Sequence, residues 1–457
     1  MSLQVTNLEA ELKEPMSLVS EGDRHTYLAK LIKLRSGAKR ADWLQSINDR
    51  GLNLLSDQAL PGTRDEDWRF TDLSALYRTN FQLAQPATVT ATALEAWTAS
   101  DLSIRIVFVN GFFSPEHSTL DALPSGITVQ ALNGAVEIAQ DYLAKQQGMN
   151  EVFTALNTAS FTDGVAIRVG KNQVLETPIH LLFLTVPSAE PTMIAPRTLV
   201  IAESGSSATL IEEYGAIASS FRAVTHQESG EGTYWTNAVT EVSVAENAQL
   251  RHTRTQRESA TAFHIGKTAV TQARDSRYAL TALSVGAQIS RHNPEIVLTG
   301  IQTETHLNGL NLAVDTQLSD THSLIHFAQP HCIAKQLHKC IVNDRARAVF
   351  NGRIEVPQAA QQTNAAQLSR NLLLSPKARV DTKPQLEIVA NDVKCAHGAT
   401  VSQLDDEEIF YLQSRGLDRK NACDILVKGF AAEITEKVPS VELRSRLLQS
   451  VLSLIRD

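Results

Sequence analysis

The chain has 457 residues, 43% of them hydrophobic and 20% charged, with a formal net charge of −8 and a pI of about 5.9. That length exceeds what a single core fills, and that balance folds and does not stay disordered. The Lys and Arg residues are scattered, which excludes a basic footprint for nucleic acid or an anionic membrane. Four cysteines (Cys332, Cys340, Cys395, Cys423) are too few and too irregular for a disulfide framework, and a reducing compartment fits them best.

The start, M-S-L-Q-V-T-N-L-E-A-E-L-K-E-P, is acidic and has neither the basic start with an apolar core of a secretory leader nor an Arg/Ser-rich transit character. No apolar run approaches the length of a membrane-crossing helix, so the expectation is a soluble, cytoplasmic protein. From Asp23 to about Leu60 the apolar residues Tyr27, Leu28, Leu31, Ile32, Trp43, Leu44 and Ile47 fall at helical spacing, predicting two helices that stop at Pro61-Gly62. T-R-D-E-D-W-R-F-T-D-L at 63–73 predicts a charged helix edge with a buried Trp68 and carries no chemistry. Residues 85–100 predict a loosely ordered connector, 105–113 a strand ending at Asn110-Gly111, and 135–145 a further helix. Residues 1–160 therefore form a mainly helical N-terminal domain.

At Asp163-Gly164 the texture changes to V-A-I-R-V, a turn at 170–172, and P-I-H-L-L-F-L-T-V. Strand runs closed by Asn, Gly, Asp, Pro or Ser then continue to about Thr400. A-R-A-V-F at 346–350 returns as A-R-V-D-T at 378–382, with looser echoes at 207–211, 248–252 and 277–281. Recurrence at roughly 30 to 40 residues predicts a stacked coil. The fold class is mainly β: a right-handed parallel β-helix, or solenoid, over residues 161–400. Such a coil leaves unpaired edges only at its two ends, which a helix or a partner must cover.

After Val401 the period becomes helical. Asp405, Asp406, Glu407 and Glu408 precede Ile409 and Leu412, and Arg415-Gly416 closes the helix. A second helix carries Ala422, Ile425, Leu426 and Phe430 on one face, and a third, after Ser440, carries Leu443, Leu447, Val451 and Leu454. Residues 401–457 thus form a C-terminal helical domain that caps the solenoid with part of these faces.

Catalytic signatures are missing from the sequence. T-A-F-H-I-G-K-T at 261–268 has Thr261 where a phosphate-cradling loop needs its first glycine and is followed by a strand pattern, so it reads as a solenoid turn. G-x-S-x-G, H-E-x-x-H, C-x-x-C and EF-hand patterns do not occur. His322, His326, His331, Cys332, His338 and Cys340 form the densest group of potential metal ligands, suited to zinc, iron or copper. Their spacing fits no closed zinc site, and a solenoid also buries such residues as packing. Cys395 and His397, two apart on a strand at the end of the coil, share one face and make the sharper pair.

The block S-R-N-L-L-L-S-P-K-A-R-V-D-T-K-P-Q-L-E-I, then D-V-K-C-A-H-G-A-T and I-F-Y-L-Q-S-R-G, resembles the SufB/SufD family of iron–sulfur cluster assembly proteins. Upstream, L-H-K-C-I-V-N-D-R-A-R-A-V-F-N-G-R-I-E-V continues the resemblance, and the C-A-H-G-A-T form is nearer the SufD branch. Where SufB-like chains carry a cysteine in the stretch A-A-Q-L-S-R-N, this chain has Leu368, as suits a supporting subunit. The resemblance implies a non-catalytic scaffold that pairs with a SufB-like subunit and binds a SufC-like ABC ATPase. Ile409, Phe410, Leu412, Ile425 and Leu426 are the implied docking residues. His397 and Cys395 are the implied metal ligands of a transient iron–sulfur cluster shared at the interface with SufB and not stably held by this chain. The isolated chain could homodimerise through the surface meant for SufB. Two other classes stay open: a β-helix carbohydrate-active enzyme, which would need a lined-up Asp, Arg or Lys face, and a purely structural homodimeric β-helix protein.

Overall fold

The computed structural model describes residues 20–34, 41–217 and 232–456; the acidic start lies outside them. Among the described residues two sheets, one of 11 strands and one of 10, face each other along most of the chain and are built from alternate strands in sequence. Each circuit contributes one strand to each sheet and then returns in parallel register, so the backbone forms a β-solenoid of about eight turns. In the first sheet the successive strands begin at Tyr234, Phe263, Ile289, Leu318, Arg347 and Arg379. Most of these intervals fall just short of the recurrence expected from the sequence, because each circuit needs only two strands and two tight turns.

The sequence echoes mark strand starts, in one column of each sheet. Arg347 pairs with Arg379, and Ser207, Gln249 and Arg277 stand in one column at the head of their strands. The turns repeat as well: Asn247, Asp275, Gln302, Asp315, His331, Asp344 and Gln362 all have φ between 51° and 63°, just before the next strand starts. That left-handed conformation reverses the chain within few residues and favours Asn and Asp, which dominate the set.

The space between the sheets is filled on one side by a continuous apolar cluster that includes Val242, Ile296, Ile325 and Ile354. The outer faces are covered by the helices. Helices Asp42–Leu55 and Val152–Ser160 pack with Trp68 onto Leu199, Trp235, Phe263 and Ile289 of the first sheet. Helices Arg419–Thr435 and Val441–Arg456 set Val427, Ile434, Leu443 and Leu447 onto Leu283, Leu310, Ile341 and Leu372 of the second sheet. The C-terminal helices therefore lie along a side of the coil and do not cap its end. Their apolar stripes match the outward-facing apolar column of the second sheet, which offers more buried area than an open strand edge.

The N-terminal region holds strands as well as helices, the one predicted at 105–113 among them, in a way that bears on the ends. Strand Ile104–Val109 extends the second sheet, Phe112–Phe113 pairs with it antiparallel, and Ile127–Ala131 pairs antiparallel with Gly164–Val169 of the first sheet. These strands terminate the solenoid at its N-terminal end, where Phe108, Phe183 and Tyr214 stack at centroid distances of 5.0 and 4.9 Å. The predicted helix at 135–145 is only Val136–Ala139, and the 85–100 connector contains a short helix, Ala91–Glu95, capped by Thr90.

Candidate functional site

At the other end, strands Arg379–Ile388 and Val393–Gln403 finish the two sheets, and among the described residues nothing pairs with their outer edges. Val393–Gln403 is exposed along much of its length and Arg379–Ile388 is mostly half-buried, unlike the largely buried strands before them. Apolar residues crowd this rim: Leu368 is 41% exposed, Val389 66% and Val401 50%. Unpaired backbone donors and acceptors beside exposed apolar side chains are what a second sheet edge completes. Pro384 in the middle of one edge strand and Lys383 and Lys394 along the two edges limit indiscriminate pairing.

Cys395 and His397 lie on the last strand, paired in register with Ala365 and Gln367. Ala365 and Gln367 are buried and face the interior, so the same alternation turns Cys395 and His397 inward, at the mouth of the coil. Cys395 is half-buried against the apolar core; burial pushes its thiol up, although a backbone hydrogen bond involving Ala365 opposes this. His397 is exposed. A soft sulfur donor and an imidazole thus share one strand face at an open end, two donors where a stable iron–sulfur cluster takes four. Among the described residues no group of three or more His, Cys, Asp or Glu gathers as a metal site would require. Leu368 pairs with Gly398 on the outward face, away from the pair.

The denser cluster of potential ligands is dispersed by the fold. His322 faces outward, 3.3 Å from Asp320, and burial pushes it down to about 4 although Asp320 opposes the shift. His326 is also on the outer face, 2.8 Å from Glu355. His331 is exposed at a turn with φ 63°, and Cys332 packs its sulfur 3.4 Å from the carbonyls of Gly300, Gln329 and Pro330. His338 and Cys340 do share a face, and their Nδ1 and Sγ are 3.7 Å apart inside the coil. Burial pushes His338 down to about 3 and the Cys340 thiol up, so both are neutral, which suits packing better than ligation.

The residues implied in docking fall into two sets. Asp405 caps helix Asp406–Ser414 through Glu407 N–H, acids fill its first turn, and Gly416 at φ 94° ends it. Ile409 on this helix is 2% exposed and turned inward, whereas its neighbour Phe410 is 72% exposed and Tyr411 57%. Leu412 and Leu426 are half-buried, and Ile425 is 46% exposed. Phe410, Tyr411 and Ile425 are therefore accessible apolar residues of this helical unit, as is Val441 at the start of its last helix. The unit is fastened to the coil by Lys339, whose Nζ donates to the Phe430 carbonyl at 2.9 Å and pairs with Glu433, and by Arg370, which pairs with Glu433 at 3.3 Å. Arg370 sits on the strand next to the rim, in register with Thr400.

Sequence reasoning missed the role of the 63–73 segment. It lies as a strap across the first sheet: Trp68 packs on Phe153 at 5.2 Å and under the Arg291 guanidinium at 3.6 Å. Arg291 donates to the Asp67 carbonyl and to Asp320, which also accepts from the Thr71 hydroxyl. Glu66 reaches Lys383 on the edge strand at 2.8 Å. The D-E-D-W spacing shows a strap only once its partners, which stand far along the chain, are known.

Comparison with known proteins adds two family matches, the SufBD core domain of the SUF system for FeS cluster assembly over residues 184–430 and the SufBD N-terminal region over residues 30–181. The chain is 45% identical over 404 residues to an iron–sulfur cluster assembly SufBD family protein of Synechocystis, covering 87% of this chain and 88% of the relative. It is 33% identical to the chloroplastic protein ABCI7 of Arabidopsis thaliana, covering 90% and 86%. It is 31% identical to the iron–sulfur cluster assembly protein SufD of Escherichia coli, covering 91% and 93%.

Proposed function

Because the chain belongs to the SufBD family of iron–sulfur cluster assembly proteins, we propose that it is the SufD-like, non-catalytic subunit of a cytoplasmic assembly complex. The open rim pairs edge to edge with the corresponding rim of a SufB-like chain. His397, with Cys395 beside it, faces the space the two rims enclose. A neutral imidazole donates a lone pair to iron, and a cysteine sulfur, once deprotonated, can do the same. One chain supplies two donors, so a nascent cluster is shared with the partner and leaves when other ligands replace them. The exposed face of Phe410, Tyr411 and Ile425 docks a SufC-like ABC ATPase, whose movement reaches the rim through the Lys339, Arg370 and Glu433 anchor.

The observation that carries this reading is the asymmetry of the ends: one finishes in short antiparallel strands of 2 and 5 residues, while the other finishes in parallel strands of 10 and 11 residues whose outer edges pair with nothing among the described residues, with Cys395 and His397 at its mouth. Substituting His397→Ala in the reconstituted three-protein complex should reduce cluster formation while leaving the complex assembled. Undiminished formation would overturn the role. Mixing the purified chain with a SufB-like subunit should give a heteromer by mass, and persistence of homodimers alone would overturn the pairing.

A further inference from the structure

The helical unit meets the flank of the coil in two places, and in the second the charges do not match. Nearer the rim, Lys339 and Arg370 of the coil share Glu433 of the helices, so cations on one side meet a carboxylate on the other. Further from the rim, the turn at 436–440 and the start of helix Val441–Arg456 stand over the outer face of strands Gln249–Glu258 and Arg277–Gly286 and enclose with them a cleft of about 390 Å³. Arg251 lines it from the coil, Lys437 and Arg444 line it from the helical unit, and the acid among its lining residues is Glu436.

These cations are not neutralised within the protein. Arg251 and Lys437 are exposed and make no hydrogen bond or ion pair among the described residues. Glu433 feels the charge of Lys437 but is already held by Lys339 and Arg370. Arg444 donates from Nη2 to the Val438 carbonyl at 2.9 Å, and its Nε is buried with no partner. Neutral donors complete the floor. Thr253 and Thr281 stand side by side in register, 3% and 5% exposed, and neither hydroxyl has a hydrogen-bond partner among the described residues.

A hydroxyl buried to that degree ordinarily finds a partner. Like charges brought together from two sides of a cleft repel unless an anion lies between them. One kind of ligand answers both needs, because an oxyanion accepts hydrogen bonds and carries the missing charge.

We propose that this cleft binds a compact multivalent oxyanion, held by Arg251, Lys437 and Arg444 and by the hydroxyls of Thr253 and Thr281. Three cations facing one acid favour a multivalent anion over a halide, and the planar guanidinium groups suit paired oxygens. The attraction is local, since the chain as a whole carries a net charge of −8. Phosphate groups and polycarboxylates share the required chemistry. Once bound, the anion ties the 436–440 turn to the coil, as Glu433 ties the preceding helix nearer the rim.

Titration calorimetry on the isolated full chain at low salt, with pyrophosphate and citrate as separate probes, should show saturable binding at one site. The tighter probe assigns the source, pyrophosphate to a phosphorylated ligand and citrate to a polycarboxylate. Arg251→Glu/Lys437→Glu changes two exposed side chains that hold nothing in the fold, and it should weaken binding about ten-fold or more. Thr281→Val removes one hydroxyl without changing the charge and should weaken it several-fold. No saturable heat with either probe, or parent-like affinity in either variant, would overturn the proposal. None of these readouts involves iron, a partner chain or the rim, so the proposed function stands or falls separately.

Discussion

Phe410 and Ile409 are adjacent on one helix and should fail in opposite ways. Fully burying a phenylalanine contributes about 1.5–3 kcal/mol. With Phe410 72% exposed in the isolated chain, a docked ATPase that covers it gains about 1–2 kcal/mol from this side chain. Phe410→Ser should therefore weaken ATPase binding about 5- to 30-fold by titration calorimetry and leave the melting temperature of the isolated chain unchanged. Ile409, 2% exposed, packs within the protein, and Ile409→Ala should cost about 2–5 kcal/mol of stability. The reasoning is refuted if Phe410→Ser leaves the affinity within about two-fold of the parent, or if it lowers the melting temperature as much as Ile409→Ala does.

Acid should destabilise the chain before its carboxylates titrate. His322, held at about 4 in the folded chain against 6.5 unfolded, binds fewer protons folded than unfolded between those values, so its contribution is present above 6.5 and is lost as pH falls. At about pH 5 the loss is about 2 kcal/mol, and buried His264, His292 and His338 are shifted in the same direction. Glu212 acts in a lower window: burial raises its pKa, but the hydrogen bonds of His252 and Thr240 and the charges of His252 and Arg254 together outweigh that and bring it to about 2, so its contribution fades only below 4.5. Urea midpoints equal at about pH 7.5 and 5 would contradict this assignment. Removing the strap's anchor by Trp68→Ala should cost about 3–5 kcal/mol in denaturant unfolding. It should leave ATPase affinity untouched, since strap and docking helices lie on different sheets; a parallel loss of affinity would show that the two faces are coupled.

The solenoid was legible because its turns carry their own signature: a strand-length run, then Asn, Asp or a similar residue in the left-handed conformation, then the same again. The helix at 406–414 was legible for a related reason, since acids, periodic apolar residues and a terminal glycine are all local. What was not legible depends on pairing across the fold. Alternation places His338 and Cys340 on one face but does not say whether that face is the mouth or the buried interior, and His331 looks like a ligand until the turn claims it. The C-terminal stripes called for a covered surface without saying which, and the flank of the second sheet was as good a match as the end of the coil. The polar interior left one trace: His252, Arg254, Gln256 and Glu258 alternate at inward positions where a solenoid strand ordinarily places apolar residues.

Placement of the helices also constrains how the coil solves its edge problem. A parallel solenoid has two ends, and each exposes a row of backbone donors and acceptors that invites uncontrolled pairing. This chain shortens the first end from within, finishing it in the short antiparallel strands Phe112–Phe113 and Ile127–Ala131, which leave little edge to pair. Beyond Gln403, where the last strand ends, it carries helices enough to cover the second end, yet they bind the flank and leave the edges free. Helices on the flank bring Glu433 within reach of Arg370, one strand from the rim, without obstructing the mouth. An edge left open beside material able to close it is physically consistent with a protein whose second end is completed by another chain, and the two donors at the mouth give that chain something to complete.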